Sequence, residues 1–368
     1  MKIARKISKN IKDDFFKEKI IILYGARQVG KTTLINELRK EYPESLYWKC
    51  DEPDTMLSLQ KKTSTELLGM IGNSKVVFLD EAQGVPGIGL TLKLIIDAAP
   101  HIQIVATGSS SFELANKVSE PLTGRNDKYT LFPLLSGELA TAYGKIETSR
   151  LTEQRIVYGS YPEPFFLDKE RREKRLAELS EDYVFKDIFS LSKIRKSEKI
   201  VILLKALALQ IGSEVSYSEL GEMTGLNYDT VESYITALEQ SFLIFRLQPY
   251  SGNARNSIKK SRKIYFWDTG IRNALINNFN PLALRNDAGA LFENFFIAEM
   301  LKEKISAEER VNAYFWRDYQ GKEIDLVIEK NGKAEFYECK LNSNDKIKKV
   351  NGFEAKIATK DNYLDYLL

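Results

Sequence analysis

The chain has 368 residues, enough for two or three domains with cores of their own. Its 54 basic and 51 acidic residues leave a net charge of only +3, which argues neither for nor against nucleic acid. Two cysteines, Cys50 and Cys339, give no disulfide framework and no zinc site. A single histidine, His101, leaves little room for histidine-based metal or nuclease chemistry, so any hydrolysis must run on carboxylates, lysine and metal. The mixed, basic start Met1–Lys6 is not a secretory segment. The apolar stretch Val201–Ile211 is broken by Lys205 and is too short for a bilayer. The expectation is a cytoplasmic protein with no membrane partner.

Lys19–Tyr24 is a short apolar run, as expected of a strand buried on both faces. Gly25-Ala26-Arg27-Gln28-Val29-Gly30-Lys31-Thr32-Thr33 follows it, and then Leu34, Ile35 and Leu38 recur at helical spacing. This is the pattern of a phosphate-binding loop between a strand and a helix. Gly25 and Gly30 let the backbone curl so that its N–H groups meet phosphate oxygens. Lys31 is placed for the β- and γ-phosphates and the Thr32 hydroxyl for Mg²⁺, with Arg27 and Thr33 completing the loop's contacts. The helix start adds its positive end. ATP and Mg²⁺ are the expected cofactors.

Val76–Leu79 reads as a second buried strand with Asp80 at its carboxyl end, placed to hold Mg²⁺. Glu81 is placed to polarise a water for attack on the γ-phosphate. The alternative is an Asp-Glu pair capping the strand. Within Thr107-Gly108-Ser109-Ser110-Ser111, Ser109 is a candidate to touch the γ-phosphate or the water, and a turn capping the next helix is the equal alternative. Arg125 follows a Gly turn and is a candidate to stabilise transferring charge, in cis or from a neighbouring subunit, with Arg27 a weaker one. A surface salt bridge is the other reading of Arg125. Strands are predicted near 20–24, 45–50, 75–79, 102–106 and 128–132, which alternate with helical stretches as in an open parallel α/β sheet. The ligand belongs at the carboxyl ends of those strands.

The middle of the chain begins with Asp168–Arg175, a charge-dense helix start with a solvated face. Tyr217–Gly225 and Leu226–Ile235 read as two helices, with Leu220, Met223, Leu226, Val231 and Ile235 as a helix-turn-helix core. Phe242–Leu247 and Lys263–Trp267 read as hairpin strands, which gives a winged-helix order. The linker Asn253–Lys263 carries Arg255, Lys259, Lys260, Arg262 and Lys263 and no acidic residue. Such a wing suits a phosphate backbone, so sequence-nonspecific DNA is one partner to expect. The second helix instead carries Asp229, Glu232 and Glu239 and no Lys or Arg, which suits a protein partner.

The last part opens on a helix, Ala290–Met300, that carries Glu293. Strand-like runs follow at Asn312–Trp316, Ile324–Ile328 and Ala334–Lys340, separated by the turn signals Tyr319-Gln320-Gly321 and Asn331-Gly332. Glu338 and Lys340 share a face of the last strand, and Asp325 on its neighbour can join them. Two carboxylates to hold Mg²⁺ and a lysine to orient water would serve phosphodiester hydrolysis, with Glu293 as a fourth polar group. A cross-strand salt-bridge cluster is the alternative.

The joint order of Gly25–Thr33, Leu79–Gln83, Thr107–Ser111, Leu122–Arg125, Tyr158–Pro162 and Phe266–Gly270 resembles the prokaryotic AAA-type ATPases fused to a carboxy-terminal domain of unknown function. The resemblance covers almost the whole chain. It implies an AAA-type P-loop ATPase core of the additional-catalytic-glutamate class over residues 1–150. An all-α and winged-helix domain over 151–280 and an α/β restriction-endonuclease-like domain over 281–368 would follow. It also implies a possible nuclease site at Glu293, Asp325, Glu338 and Lys340, and a homo-oligomer formed with ATP. The stretch after Lys340 is short and Lys-rich, so the usual covering helix of such a nuclease core is abbreviated.

Overall fold

Five consecutive apolar residues make the first strand, β1 (Ile20–Tyr24), and all five are buried in the computed structural model. The model describes residues 3–108, 122–182, 197–250 and 262–368. Two compact units result: one holds Ala4–Phe132 with Gln240–Phe242, the other mainly Pro133–Glu239 and Leu243–Leu368.

In the first unit, β1 is joined by β2 (Leu46–Lys49), β3 (Val76–Asp80), β4 (Gln103–Gly108) and β5 (Asn126–Thr130). All pair in parallel, in the order β2-β3-β4-β1-β5. Sheet residues Ile20, Ile22, Val77, Leu79, Ile104 and Ala106 share a core with Leu92 and Ile95 of the helix Ile88–Ala98. Both faces need apolar cover, which is why these strands are apolar runs and do not alternate. The helix Ser64–Ile71 starts on a capping box in which Thr63 and Glu66 satisfy each other's backbone N–H groups. The strand order sets the site: β4 lies between β1 and β3, so the carboxyl ends of these three strands lie together at one end of the sheet.

The second unit is built on a seven-stranded mixed sheet, order β11-β12-β10-β9-β8-β6-β7. Its strands are β6 (Ile244–Pro249), β7 (Lys263–Phe266), β8 (Asn312–Arg317), β9 (Glu323–Lys330), β10 (Lys333–Cys339), β11 (Ile347–Val350) and β12 (Phe353–Ala358). The antiparallel pair β6 and β7 follows the helices Tyr217–Thr224 and Tyr228–Gln240, and β6 pairs in parallel with β8 through Gln248 and Tyr314. The β6–β7 hairpin and the carboxy-terminal strands are therefore one sheet. The β9–β10 turn has both Asn331 (φ 51°) and Gly332 (φ 75°) in the left-handed region, as a two-residue hairpin turn requires. Asn351 and Gly352 repeat this between β11 and β12, so the Lys-rich stretch after Lys340 forms a hairpin and not only a shortened helix.

One core expectation fails in the helix pair. Leu220, Val231 and Ile235 are buried, but Met223 is 54% exposed and Leu226 only half-buried. The helix Tyr217–Thr224 turns so that Thr224 is the buried residue of its last turn, its hydroxyl bonded to the Leu220 carbonyl, before the left-handed Gly225 ends it.

Two of the motifs that carry the family resemblance meet each other and serve packing. Asp268 accepts N–H bonds from Ser160 (2.8 Å), Gly270 (2.9 Å) and Ile271 (3.2 Å), which caps the helix Thr269–Leu275. A Cβ on Gly159 would lie 1.9 Å from the Asp268 carboxylate, and one on Gly270 would lie 2.1 Å from the Tyr158 carbonyl oxygen. Both glycines are required by this close approach. Nearby, the fully buried Arg155 binds Glu299 (2.7 Å), Ser136 (2.7 Å) and Ser160 (3.0 Å), and Lys302 closes on the same glutamate at 3.0 Å.

Candidate functional site

The loop after β1 forms a cradle closed from behind. A Cβ on Gly25 would stand 2.4 Å from the Leu131 carbonyl oxygen, so only glycine fits there. Gly30 has φ 103° and is the N-cap of the helix Lys31–Glu41. Arg5 is buried behind the loop and donates to the carbonyls of Val29 (2.8 Å) and Phe132. Lys31 is 4% exposed; its ammonium donates to the Gly25 and Ala26 carbonyls at 2.9 Å each and lies 3.9 Å from Glu81. Arg27 is half-buried, and Thr32 and Thr33 lie on the exposed first turn of the helix.

A hydrogen-bonded chain links the ends of β3 and β4 to this loop. The Thr32 hydroxyl donates to Asp80 Oδ2 at 2.7 Å, and Tyr47 of β2 donates to the same oxygen at 3.0 Å. The Thr107 hydroxyl donates to Asp80 Oδ1 at 2.5 Å and accepts the Glu81 backbone N–H at 3.0 Å. Gln83 donates to Glu81 Oε2 at 2.5 Å. Glu81 has φ 53°, a left-handed conformation rare for a non-glycine residue, which turns its side chain back toward Lys31. Burial, then the Asp80 charge, pushes the Tyr47 phenol up, so it stays protonated and can only donate to that carboxylate.

These donors suit a magnesium nucleotide. Mg²⁺ is commonly bound by one or two protein oxygens together with phosphate oxygens, and Thr32 and Asp80 offer a hydroxyl and a carboxylate side by side beside a lysine-bearing glycine loop.

Arg125 is not at this site. The Arg125 carbonyl accepts the Ile20 N–H at the amino end of β1, and its guanidinium pairs with Asp97 at 2.6 Å on the surface. The loop starts at the opposite end of that five-residue strand, about 16 Å away at about 3.3 Å per residue. A role for Arg125 in its own chain's site is therefore excluded by distance, because the parallel register places the two at opposite edges of the sheet. Ser109 lies outside the described residues.

The carboxy-terminal cluster is differently made. Glu293, on the helix Ala288–Ser306, accepts from Tyr265 (2.7 Å) and from Lys263 (3.2 Å), and Lys263 also pairs with Glu323. Asp325 Oδ2 accepts the Cys339 N–H at 2.7 Å. Glu338 Oε1 binds Lys340 (3.0 Å) and Lys348, whereas its Oε2 is buried with no hydrogen-bond partner. Burial, then the charges of Glu293 and Glu338, drives the Asp325 carboxyl well above the usual carboxylate range, and burial raises Glu293. Glu293, Asp325 and Glu338 thus influence one another, with Lys340 on Glu338. Among the described residues no three His, Cys, Asp or Glu side chains are arranged to hold a metal ion.

Of the basic wing, Arg255, Lys259 and Lys260 lie outside the described residues. Arg262 pairs with Glu232 at 3.3 Å and covers the Tyr217 ring at 4.9 Å. Lys263 is 2% exposed and faces inward as the first residue of β7, so it cannot be a phosphate contact on the surface. Among the described residues no helix is long and apolar enough to cross a membrane.

Comparison with known proteins agrees with this geometry. Residues 17–140 match the family model described as an AAA domain. Residues 149–282 and 288–366 match two domains of unknown function, DUF8612 and DUF4143. The chain therefore carries an AAA-type ATPase domain ahead of a DUF4143 carboxy-terminal domain, and it is an ATPase of that class. Its relatives are uncharacterized prokaryotic proteins. MJ1544 of Methanocaldococcus jannaschii is 25% identical, over 99% of this chain and 84% of the relative. Rv2008c of Mycobacterium tuberculosis is 27% identical, over 89% of this chain and 71% of the relative. The fold is similar to that of the Walker-type ATPase PABY2304 of Pyrococcus abyssi, at 17% identity and a TM-score of 0.52, covering 74% of this chain and 95% of that one.

Proposed function

We propose that the chain is a Mg²⁺-dependent ATP-hydrolysing switch whose nucleotide state is passed to its winged-helix and carboxy-terminal module, and that this module acts on DNA without sequence preference. The observation that carries the reading is the unbroken chain from Thr32 through Asp80 and Thr107 to the Glu81 backbone. Bound Mg²⁺ would neutralise and polarise the transferring phosphoryl group. Thr32 and Asp80 would hold the ion. Lys31 exchanges two backbone carbonyls for phosphate oxygens, which is a favourable trade for an ammonium. Glu81 orients and deprotonates the attacking water. Thr107 touches both the metal carboxylate and the Glu81 amide, so a shift at either is felt by β4. Arg125, remote from its own site, serves that of a neighbouring copy in a nucleotide-dependent homo-oligomer.

The DNA reading is supported by the basic linker between β6 and β7. ATP turnover measured with and without DNA tests it: stimulation by DNA of unrelated sequences is expected, and turnover indifferent to DNA would remove DNA as the partner. A second reading is a nucleotide-dependent scaffold that binds protein partners through an inactive nuclease-like domain. It is favoured by Arg262–Glu232 and Arg246–Glu239, which engage the acidic second helix with the protein's own cations.

A further inference from the structure

A buried group of carboxylates must find cations, and this cluster finds them within the chain. Lys263 enters from the wing strand β7, passes 5.6 Å from the Phe315 ring centre, and sets its ammonium between Glu293 of the long helix and Glu323 of β9. Asp325 also acts on it electrostatically. Lys340 and Lys348 converge on Glu338 from the other side. Three ammonium groups therefore face Glu293, Glu323, Asp325 and Glu338. The cluster thus draws its countercharge from lysines of its own chain.

A nuclease of this architecture would need a divalent ion here, and the residues do not fit one. Mg²⁺ demands near-octahedral oxygen ligation at about 2.0–2.1 Å and sheds its water reluctantly. Glu293 Oε1 is already shared by Lys263 and Tyr265, Asp325 Oδ2 by the Cys339 amide, and Glu338 Oε1 by two lysines; Glu338 Oε2 is buried without a hydrogen-bond partner, but one such oxygen does not supply near-octahedral ligation. A second cation would stand against the Lys263 ammonium, and unlike charges are then not available to hold it.

We propose that Lys263 is the resident cation of this cluster, standing where a nuclease would keep its metal, so that the carboxy-terminal domain binds no divalent ion there and cuts no phosphodiester bond. The lysine instead joins the wing hairpin to the long helix and to β9. This holds whether or not ATP turnover is coupled to DNA, because it concerns a separate set of residues.

Mn²⁺ binding, followed by electron paramagnetic resonance on the full nucleotide-free chain, tests it, with Asp80→Asn removing the carboxylate of the ATP site. The expected result is no saturable binding below about 1 mM, and no Mg²⁺- or Mn²⁺-dependent nicking of supercoiled DNA by the wild-type chain. Saturable binding lost in Glu338→Gln, or nicking lost in Asp325→Asn, would overturn the proposal. In a folded Lys263→Met chain a Mn²⁺ site should appear; its continued absence would overturn the claim that the lysine stands in the ion's place. If that variant does not fold, the wild-type measurement decides alone.

Discussion

At the scale of single residues, the nucleotide site divides the chemistry cleanly. Glu81→Gln keeps the shape and the bond to Gln83 but removes the base, so turnover should fall by about 10²–10⁴-fold with ATP affinity nearly unchanged, as read by steady-state rates beside nucleotide titration. Thr107→Val should leave Asp80 one donor short and free the Glu81 amide; a fall in kcat larger than any change in nucleotide affinity is expected. Gly25–Thr33 and Asp80-Glu81 stand out in the sequence because each is a run of neighbours along the chain, and the structure brings the two runs together through Thr32 and Asp80. Tyr47, Gln83 and Arg5 were not, because their contacts depend on how strands pair and on how the chain's start passes behind the loop. Lys263 misled for a related reason: a run of cations reads as solvated, and only the register of β7 turns one of them inward.

At the scale of elements, β1, β3 and β4 were readable to within about two residues because strands buried on both faces are largely apolar runs. The hairpin at Asn351-Gly352 was missed, since β11 is Ile-Lys-Lys-Val and lacks the alternation of a half-buried strand. The motifs around Gly159 and Asp268, which carry part of the family resemblance, form a joint between two segments 108 positions apart. Asp268→Ala should strip the cap of Thr269–Leu275 and orphan the Ser160 amide. A loss of about 2–4 kcal/mol in chemical denaturation is expected, with nucleotide affinity of the ATPase unit retained. Position matters in the same way for Arg125: its place at the amino edge of β1 means that Arg125→Ala should leave the basal rate of dilute protein unchanged and lower only a concentration-dependent component.

At the scale of the whole molecule, the chain is an ATPase domain and a second unit in which one continuous sheet unites β6 and β7 with the carboxy-terminal strands. A parallel pairing of β6 with β8 leaves no local mark, because the two strands are separated by more than sixty residues. The buried Arg155, Glu299 and Lys302 group sits inside this second unit. Burial alone would raise Glu299, but Arg155 and Lys302 outweigh it and hold the carboxyl at about 2. A folded-state value below the unfolded one contributes stability above about 4.3 that is lost as pH falls toward 2. Acid titration of this unit should therefore show an extra loss on the order of 3 kcal/mol across that window, absent in a variant with Glu299→Gln. Arg155→Met should cost about 3–5 kcal/mol at neutral pH by leaving Glu299 short of its main partner.

The central claim is that the site built by Lys31, Asp80 and Glu81 hydrolyses ATP and that the carboxy-terminal unit responds to it. ATP turnover by the purified full-length chain with Mg²⁺, in wild type and Glu81→Gln, with and without DNA, tests this most directly. Turnover abolished by Glu81→Gln and raised by DNA of any sequence is the predicted result. Absence of turnover under all conditions, or a Glu81→Gln rate equal to wild type, would contradict it.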